Sequence, residues 1–156
     1  MTQSACPHSE IQGTSPRPPE QAHGPAHPDL HQILPDEAFA LLQNKEVVFI
    51  DIRSTTEHFY VGNPKGAILV PWQDPPDAEV NPHFVEEVSY IAQKGQPVLL
   101  ICRSGQRSID AGNALIEAGF QPVYHVLEGF EGDRDEDQHR NSINGWRVRG
   151  LPWTQC

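Results

Sequence analysis

Basic residues, cysteine and long apolar runs are all scarce in this 156-residue sequence. Eleven Lys and Arg residues stand against 21 Asp and Glu residues, which gives a formal net charge of −10. Because such a charge repels phosphate backbones and anionic lipids, neither nucleic acid nor a membrane is expected as the main partner. No apolar run approaches the roughly 18 to 20 residues that span a bilayer, and no signal-peptide pattern opens the sequence. We therefore expect a cytoplasmic protein.

The three cysteines do not form the pattern of a disulfide scaffold or of a zinc site. Cys6, Cys102 and Cys156 are odd in number and widely spaced, without a C-x-x-C pair. Reduced thiols in the cytoplasm fit this usage. The acidic segment 131–140 has Gln138 where a calcium loop starting at Asp133 needs glycine, so we predict a solvated loop there. Neither a metal nor a cofactor is expected.

The first 29 residues differ in composition from the rest of the chain. They hold six of the 15 prolines and three of the eight histidines, and almost no aliphatic side chains. Such a segment buries too little apolar surface to offset the entropy of ordering. We predict a disordered tail over residues 1–29 and one domain over residues 30–156, a length that suits a single core.

From residue 30 onward, short apolar runs alternate with segments of helical character. Strands are predicted at 47–50, 67–70, 97–101 and 123–126, and helices from Pro35, from Pro82 and from about Ser108. Buried strands that alternate with helices indicate an α/β fold with a parallel sheet.

A cysteine follows the predicted strand 97–101, at the edge of the sheet where α/β proteins collect their sites. The residues of this loop and of the helix start are Cys102, Arg103, Ser104, Gly105, Gln106, Arg107 and Ser108. Helix N-terminal amides and two arginines favour an anion, so we expect a nucleophilic thiolate. Gly105 lets the loop amides turn inward as a cradle for a second negative group. The alternative is a buried core thiol whose neighbouring arginines pair with surface carboxylates.

The strand, the CRSGQRS loop and the helix resemble the active loop of the rhodanese family of sulfurtransferases. Upstream, Asp51-Ile52-Arg53 followed by Glu57 is similar to a family motif that lies at a strand end. Residues 62–71 resemble the next motif, with Asn63-Pro64-Lys65 in place of the usual His-Ile-Pro. Residues 127–130 and 145–153 are similar to the closing Gly and Trp elements, separated by an insertion.

The resemblance covers about residues 30–153 and implies a fold and an activity. The implied fold is a central parallel sheet of about five strands, flanked by helices on both faces. The implied activity is a sulfurtransferase reaction: the Cys102 thiolate takes sulfur from a small anion such as thiosulfate and holds it as a persulfide. Cyanide, a small thiol, thioredoxin or a sulfur-relay protein is expected to accept the sulfur. We expect a monomer or a homodimer.

The loop arginines and the upstream motif have expected roles in this reaction. Arg103 or Arg107 is expected to bind the sulfonate of the donor, and the loop amides to hold the persulfide charge. Asp51 and Arg53, carried over from the resemblance, are expected to orient the loop or to line its entrance; the alternative is an ordinary ion pair at the end of the strand. Spacing places no histidine beside Cys102, so no histidine base is predicted.

Two alternatives from other functional classes stay open. A cysteine-dependent phosphatase or arsenate reductase of this fold needs a C-x5-R loop, whereas Arg107 gives C-x4-R. A rhodanese-like module that senses or binds sulfur without turnover is disfavoured by the presence of Cys102. A carrier that delivers persulfide sulfur to another enzyme is compatible with the same residues.

Overall fold

The computed structural model describes residues 24–74 and 79–156 and has a parallel sheet at its centre. In chain order its elements are β1 (Leu30–Ile33), α1 (Pro35–Leu41), β2 (Val48–Asp51), a π-helical turn (Glu57–Val61), β3 (Asn63–Pro64), β4 (Ile68–Leu69), α2 (Phe84–Ser89), β5 (Val98–Ile101), α3 (Arg107–Glu117), β6 (Val123–Val126) and β7 (Trp153–Thr154). Five strands form the sheet in the order β1-β6-β5-β2-β4, and all of their pairings are parallel. The predicted α/β class and strand number are confirmed.

Both faces of the sheet are buried, which explains the apolar runs of the central strands. On one face, Leu100 of β5 packs in a cluster with Phe84 of α2 and Leu115 of α3. On the other face, Leu99 packs with Ala38 of α1 and with residues near the carboxyl terminus. Successive residues of a strand point to opposite faces, so a strand covered on both sides is apolar throughout. The helices lie on both faces, as predicted.

Two local features differ from the sequence prediction. β1 was not predicted because His31 and Gln32 are polar and exposed, as the edge position of this strand permits. The predicted start of α2 at Pro82 was wrong by two residues. Asn81 forms a turn ahead of the helix, since its side chain accepts a hydrogen bond from the His83 amide and its carbonyl accepts one from Phe84.

The chain ahead of β1 already contacts the domain. The side chain of Asn113 in α3 accepts a 2.8 Å hydrogen bond from the His27 amide and donates one of 3.0 Å to the Pro25 carbonyl. Ala26 packs against the core. Part of the predicted tail, residues 24–29, thus lies in the described structure, whereas residues 1–23 lie outside it and the tail prediction for them is not tested. No helix among the described residues is long and apolar enough to cross a bilayer.

The order of the strands brings two sequence motifs to one edge of the sheet. β2 and β5 are neighbours, and their register places Asp51 opposite Ile101. Because the strands are parallel, their carboxyl ends lie side by side. The Asp51 motif and the Cys102 loop therefore begin at the same edge.

Candidate active site

The sulfur of Cys102 lies under the turn that connects β5 to α3. Its Sγ accepts a hydrogen bond from the Gly105 amide at 3.1 Å and lies 3.4 Å from the Ser108 hydroxyl. Cys102 is only 1% exposed and borders the apolar cluster under α3, as the core-thiol alternative expects. The polar contacts nevertheless converge on the sulfur. In the described chain one amide, rather than a cradle of several, bonds to it.

The turn is possible because two glycines adopt conformations that other residues avoid. Gly105 has a φ of +95° and Gly129 a φ of +63°. A Cβ on Gly129 would lie 2.5 Å from the carbonyl carbon of Arg103, so the two chain segments approach too closely for a side chain. Hydrogen bonds join the same segments, from the Phe130 amide to the Cys102 carbonyl and from the Glu131 amide to the Arg103 carbonyl.

Arg107 forms an ion pair that joins the Cys102 loop to the π-helical turn. Its guanidinium donates two hydrogen bonds, of 2.8 and 2.9 Å, to the carboxylate of Glu57 in the π-helical turn. Burial raises the pKa of Glu57, but the hydrogen bonds and the charge of Arg107 lower it by more. The pKa of Glu57 is therefore below its ordinary value. The charge of Arg107 is thus matched within the protein. Its contacts indicate that it positions the loop, and they do not support donor binding by this arginine.

Asp51 and Arg53 form a second ion pair, which is fully buried. The carboxylate of Asp51 accepts bonds from Arg53 Nε at 2.9 Å, from Arg53 Nη2 at 2.7 Å and from His58 Nδ1 at 2.8 Å. Burial raises the pKa of Asp51, yet the bonds from His58 and Arg53 lower it further than burial raises it. The Arg53 guanidinium also lies 4.5 Å from the ring centre of Phe130 and bonds to the Gly62 carbonyl.

Complete burial of this pair argues against one of its expected roles. Both Asp51 and Arg53 are 0% exposed, so neither lines an entrance. Through Phe130 and Gly62 the pair ties the end of β2 to the segments that flank the Cys102 loop. These contacts are those of positioning residues.

Arg103 is the loop cation whose charge is not matched within the described chain. Its side chain is half-buried, and its Nε has no hydrogen-bond partner among the described residues. It lines a cleft with a volume of about 610 Å³, together with Glu57, Glu131 and the segment 138–141. The predicted solvated loop is therefore in part a wall of this cleft. Of the remaining loop residues, Ser104 is half-buried and Gln106 is exposed, and neither side chain bonds to Cys102 in the described chain.

A histidine that residue spacing does not place near Cys102 reaches it through Ser108. The Ser108 hydroxyl lies 2.7 Å from Nδ1 of His125, whose Nε2 lies 3.2 Å from the Gln32 side-chain oxygen. Burial lowers the pKa of His125 to about 4, so its ring is neutral at pH 7. Ser108 and His125 are too far apart in the sequence for residue spacing to predict this contact. A histidine within the otherwise apolar strand β6 was the sequence feature that could have indicated it.

The fold and this site define an α/β protein that presents a cysteine between a parallel strand and a helix N-terminus. The family model described as the rhodanese-like domain matches residues 34–136. The chain belongs to this family, as the sequence motifs predict.

Named relatives and a solved structure agree with this assignment. Thiosulfate sulfurtransferase GlpE from Glaesserella parasuis is 32% identical over 101 residues, which cover 65% of this chain and 83% of that protein. Uncharacterized protein RC0915 from Rickettsia conorii is 30% identical over 119 residues, with 72% and 87% coverage. The crystal structure of Rv0390 from M. tuberculosis has a TM-score of 0.74 and 38% identity, and the match covers 81% of this chain and 98% of that one.

Proposed function

We propose that this protein is a sulfurtransferase that moves a sulfane sulfur from a donor anion to a thiophilic acceptor through a persulfide on Cys102. The observation that carries the proposal is the convergence of the Gly105 amide and the Ser108 hydroxyl on the Cys102 sulfur. Family membership and the relatives named as thiosulfate sulfurtransferases support it. The reaction needs a nucleophilic thiol and a donor of hydrogen bonds to the anionic sulfur.

The reaction proceeds in two substitutions at sulfur. The Cys102 thiolate attacks the outer sulfur of thiosulfate, a new S–S bond forms, and the bond to the sulfonate sulfur breaks as sulfite leaves with the electron pair. Cyanide or a thiolate then attacks the outer sulfur of the persulfide, and Cys102 leaves as a thiolate. The Gly105 amide is placed to stabilise the charge on sulfur at each stage.

Intact mass spectrometry tests this chemistry directly. After incubation with thiosulfate, the protein is expected to gain the mass of one sulfur atom, and cyanide is expected to remove it. Peptide mapping is expected to place the added sulfur on the peptide that contains Cys102. Protein without added mass, or sulfur located on Cys6 or Cys156, would contradict the proposal. A persulfide that forms and resists discharge by cyanide and small thiols would instead favour the carrier function.

Arg103 is the residue that we assign to donor binding. It follows Cys102 directly in the loop and lines the cleft described above, and its Nε has no hydrogen-bond partner among the described residues. An anionic donor placed there gains a charge-assisted hydrogen bond. We further propose that the reaction takes place in the cytoplasm, where cysteines are kept reduced and able to act as nucleophiles.

Loss of the Arg103 charge is expected to affect anionic donors selectively. In Arg103→Gln, the KM for thiosulfate should rise about tenfold, in line with the net worth of a partly exposed charged hydrogen bond. The KM for a neutral dialkyl trisulfide should stay unchanged, and so should kcat for both donors. Steady-state kinetics with the two donors measure this difference.

The matched control for this variant is Lys94→Gln. Lys94 is exposed and precedes β5, at the edge of the sheet opposite the Cys102 loop, so its loss removes the same charge far from the cleft. An equal rise in KM for both donors, or an equal effect of Lys94→Gln, would count against donor binding by Arg103.

A further inference from the structure

We propose that Ser108 and His125 form a proton relay that connects the buried sulfur of Cys102 to solvent at Gln32. The inference deepens the proposed function and rests on it, because the relay serves the thiol that attacks the donor. Ser108 contacts the reacting sulfur, whereas His125 acts through Ser108 and is a positioning residue.

The need for a relay follows from the burial of Cys102. A thiol must lose its proton before it attacks a sulfur donor, because the thiolate is the nucleophile. Cys102 is 1% exposed and Ser108 and His125 are 0% exposed, so bulk water has little access to the S–H proton. A chain of hydrogen-bonding groups supplies the path that water does not.

The hydrogen bonds of this chain all run in one direction. The Cys102 thiol donates to the Ser108 hydroxyl oxygen at 3.4 Å. The Gln32 side-chain oxygen is an acceptor, so the neutral His125 ring carries its proton on Nε2 and donates it to Gln32 over 3.2 Å. Nδ1 of His125 then accepts from the Ser108 hydroxyl at 2.7 Å. Every donor thus points from the sulfur towards the exposed side chain of Gln32 on the edge strand β1.

The surroundings of His125 allow it to pass a proton without keeping it. The register places His125 between Gln32 of β1 and Leu100 of β5, and its ring hydrogen-bonds only to uncharged groups in the described chain. Burial lowers its pKa to about 4, so the protonated ring is a minor species at pH 7. The elements that pack around it are β1, β5, β6 and α3, and β5 has no ionisable residue. The ionisable residues on the other three are His31, Tyr124, Arg107, Asp110 and Glu117.

The proton transfer balances without any further reactant. The S–H proton moves to the Ser108 oxygen, the Ser108 proton moves to Nδ1 of His125, and the Nε2 proton leaves to water beside Gln32. The products are the Cys102 thiolate, a neutral serine, the other neutral tautomer of histidine and one proton in solvent. Rotation of the Gln32 amide then presents its NH2 group to the deprotonated Nε2.

Alkylation of Cys102 by iodoacetamide tests the relay without a sulfur donor. Two variants interrupt it: His125→Asn, whose side-chain amide keeps a hydrogen bond to Ser108 but cannot relay a proton, and Ser108→Ala. At pH 7 each is expected to slow alkylation about tenfold, below the hundredfold typical of general base catalysis because water still reaches the sulfur slowly. The deficit should shrink at alkaline pH, where hydroxide removes the proton directly. Peptide mass spectrometry measures the rate at Cys102 alone.

The control variant is Tyr124→Phe, on the same strand but on the opposite face of the sheet. It is expected to alkylate like wild type, and thermal midpoints establish that each variant is folded. Wild-type rates in both His125→Asn and Ser108→Ala would overturn the relay, and so would slowing that is equal at every pH. If His125→Asn does not fold, Ser108→Ala decides alone.

The alkylation test and the persulfide test fail independently. Slower alkylation in the relay variants, in a protein that gains no sulfur from thiosulfate, would retain the relay and contradict the sulfurtransferase. A normal persulfide together with unchanged alkylation in the variants would retain the sulfurtransferase and overturn the relay.

Discussion

Replacement of Cys102 by serine is expected to abolish sulfur transfer. A serine hydroxyl is not ionised at neutral pH and forms no persulfide, so neither half of the reaction has its nucleophile. Loss of a nucleophile typically costs at least roughly 10⁴-fold in kcat. The thiocyanate formed from thiosulfate and cyanide measures the rate. The smaller oxygen still lies near the Gly105 amide and the Ser108 hydroxyl, so the fold should be retained.

The control for this variant is Cys156→Ser. Cys156 is an exposed free thiol at the end of the chain, and its loss removes a cysteine without touching the loop. It is expected to keep the full wild-type rate. Turnover that persists in Cys102→Ser, or that falls in Cys156→Ser, would move the nucleophile away from residue 102.

Asp51→Ala is expected to cause the largest loss of stability among single substitutions near the site. It leaves the Arg53 guanidinium 0% exposed and without its carboxylate, and Nη1 of that guanidinium already has no partner among the described residues. Removal of one partner from a buried ion pair typically costs about 3–5 kcal/mol, because the remaining charge stays desolvated. Urea unfolding at pH 7 is expected to show a decrease of this size in the free energy of unfolding.

The matched control is Asp36→Ala, which also removes an aspartate from an arginine. Asp36 pairs with Arg149 at 2.7 Å, but its side chain is 62% exposed. Exposed ion pairs contribute less than about 1 kcal/mol to the free energy of unfolding, since water replaces the lost partner. Similar decreases in the free energy of unfolding for the two variants would show that burial of the Asp51–Arg53 pair does not determine how much it stabilises the fold.

The sequence predicts the strands and the cysteine loop well because their signals are local. The run from Val98 to Ile101 is apolar at every position because β5 is covered on both faces. Cys102, Gly105 and the start of α3 follow within a few residues, so their order along the chain already places the thiol at a helix N-terminus. The same locality explains why the edge strand β1 was missed, since an exposed edge needs no apolar run.

The two loop arginines can be told apart only by their contacts with residues that are distant in the sequence. Arg103 and Arg107 are alike in the sequence, and either was expected to bind the donor. Glu57, which pairs with Arg107, lies 50 residues earlier in the chain. Only the packing of the π-helical turn against the loop decides which of the two arginines is paired with a carboxylate.

By itself, the amino-acid sequence determined the α/β class, the parallel strands and the place of the candidate cysteine at the end of β5, because apolar periodicity and the order of short motifs are properties of neighbouring residues. The tertiary structure alone decided the partners of that cysteine. His125 reaches Cys102 because β6 lies between β1 and β5, and this order of strands sets which distant side chains meet. Contacts between elements depend on the arrangement of the sheet, for which residue spacing along the chain carries no signal.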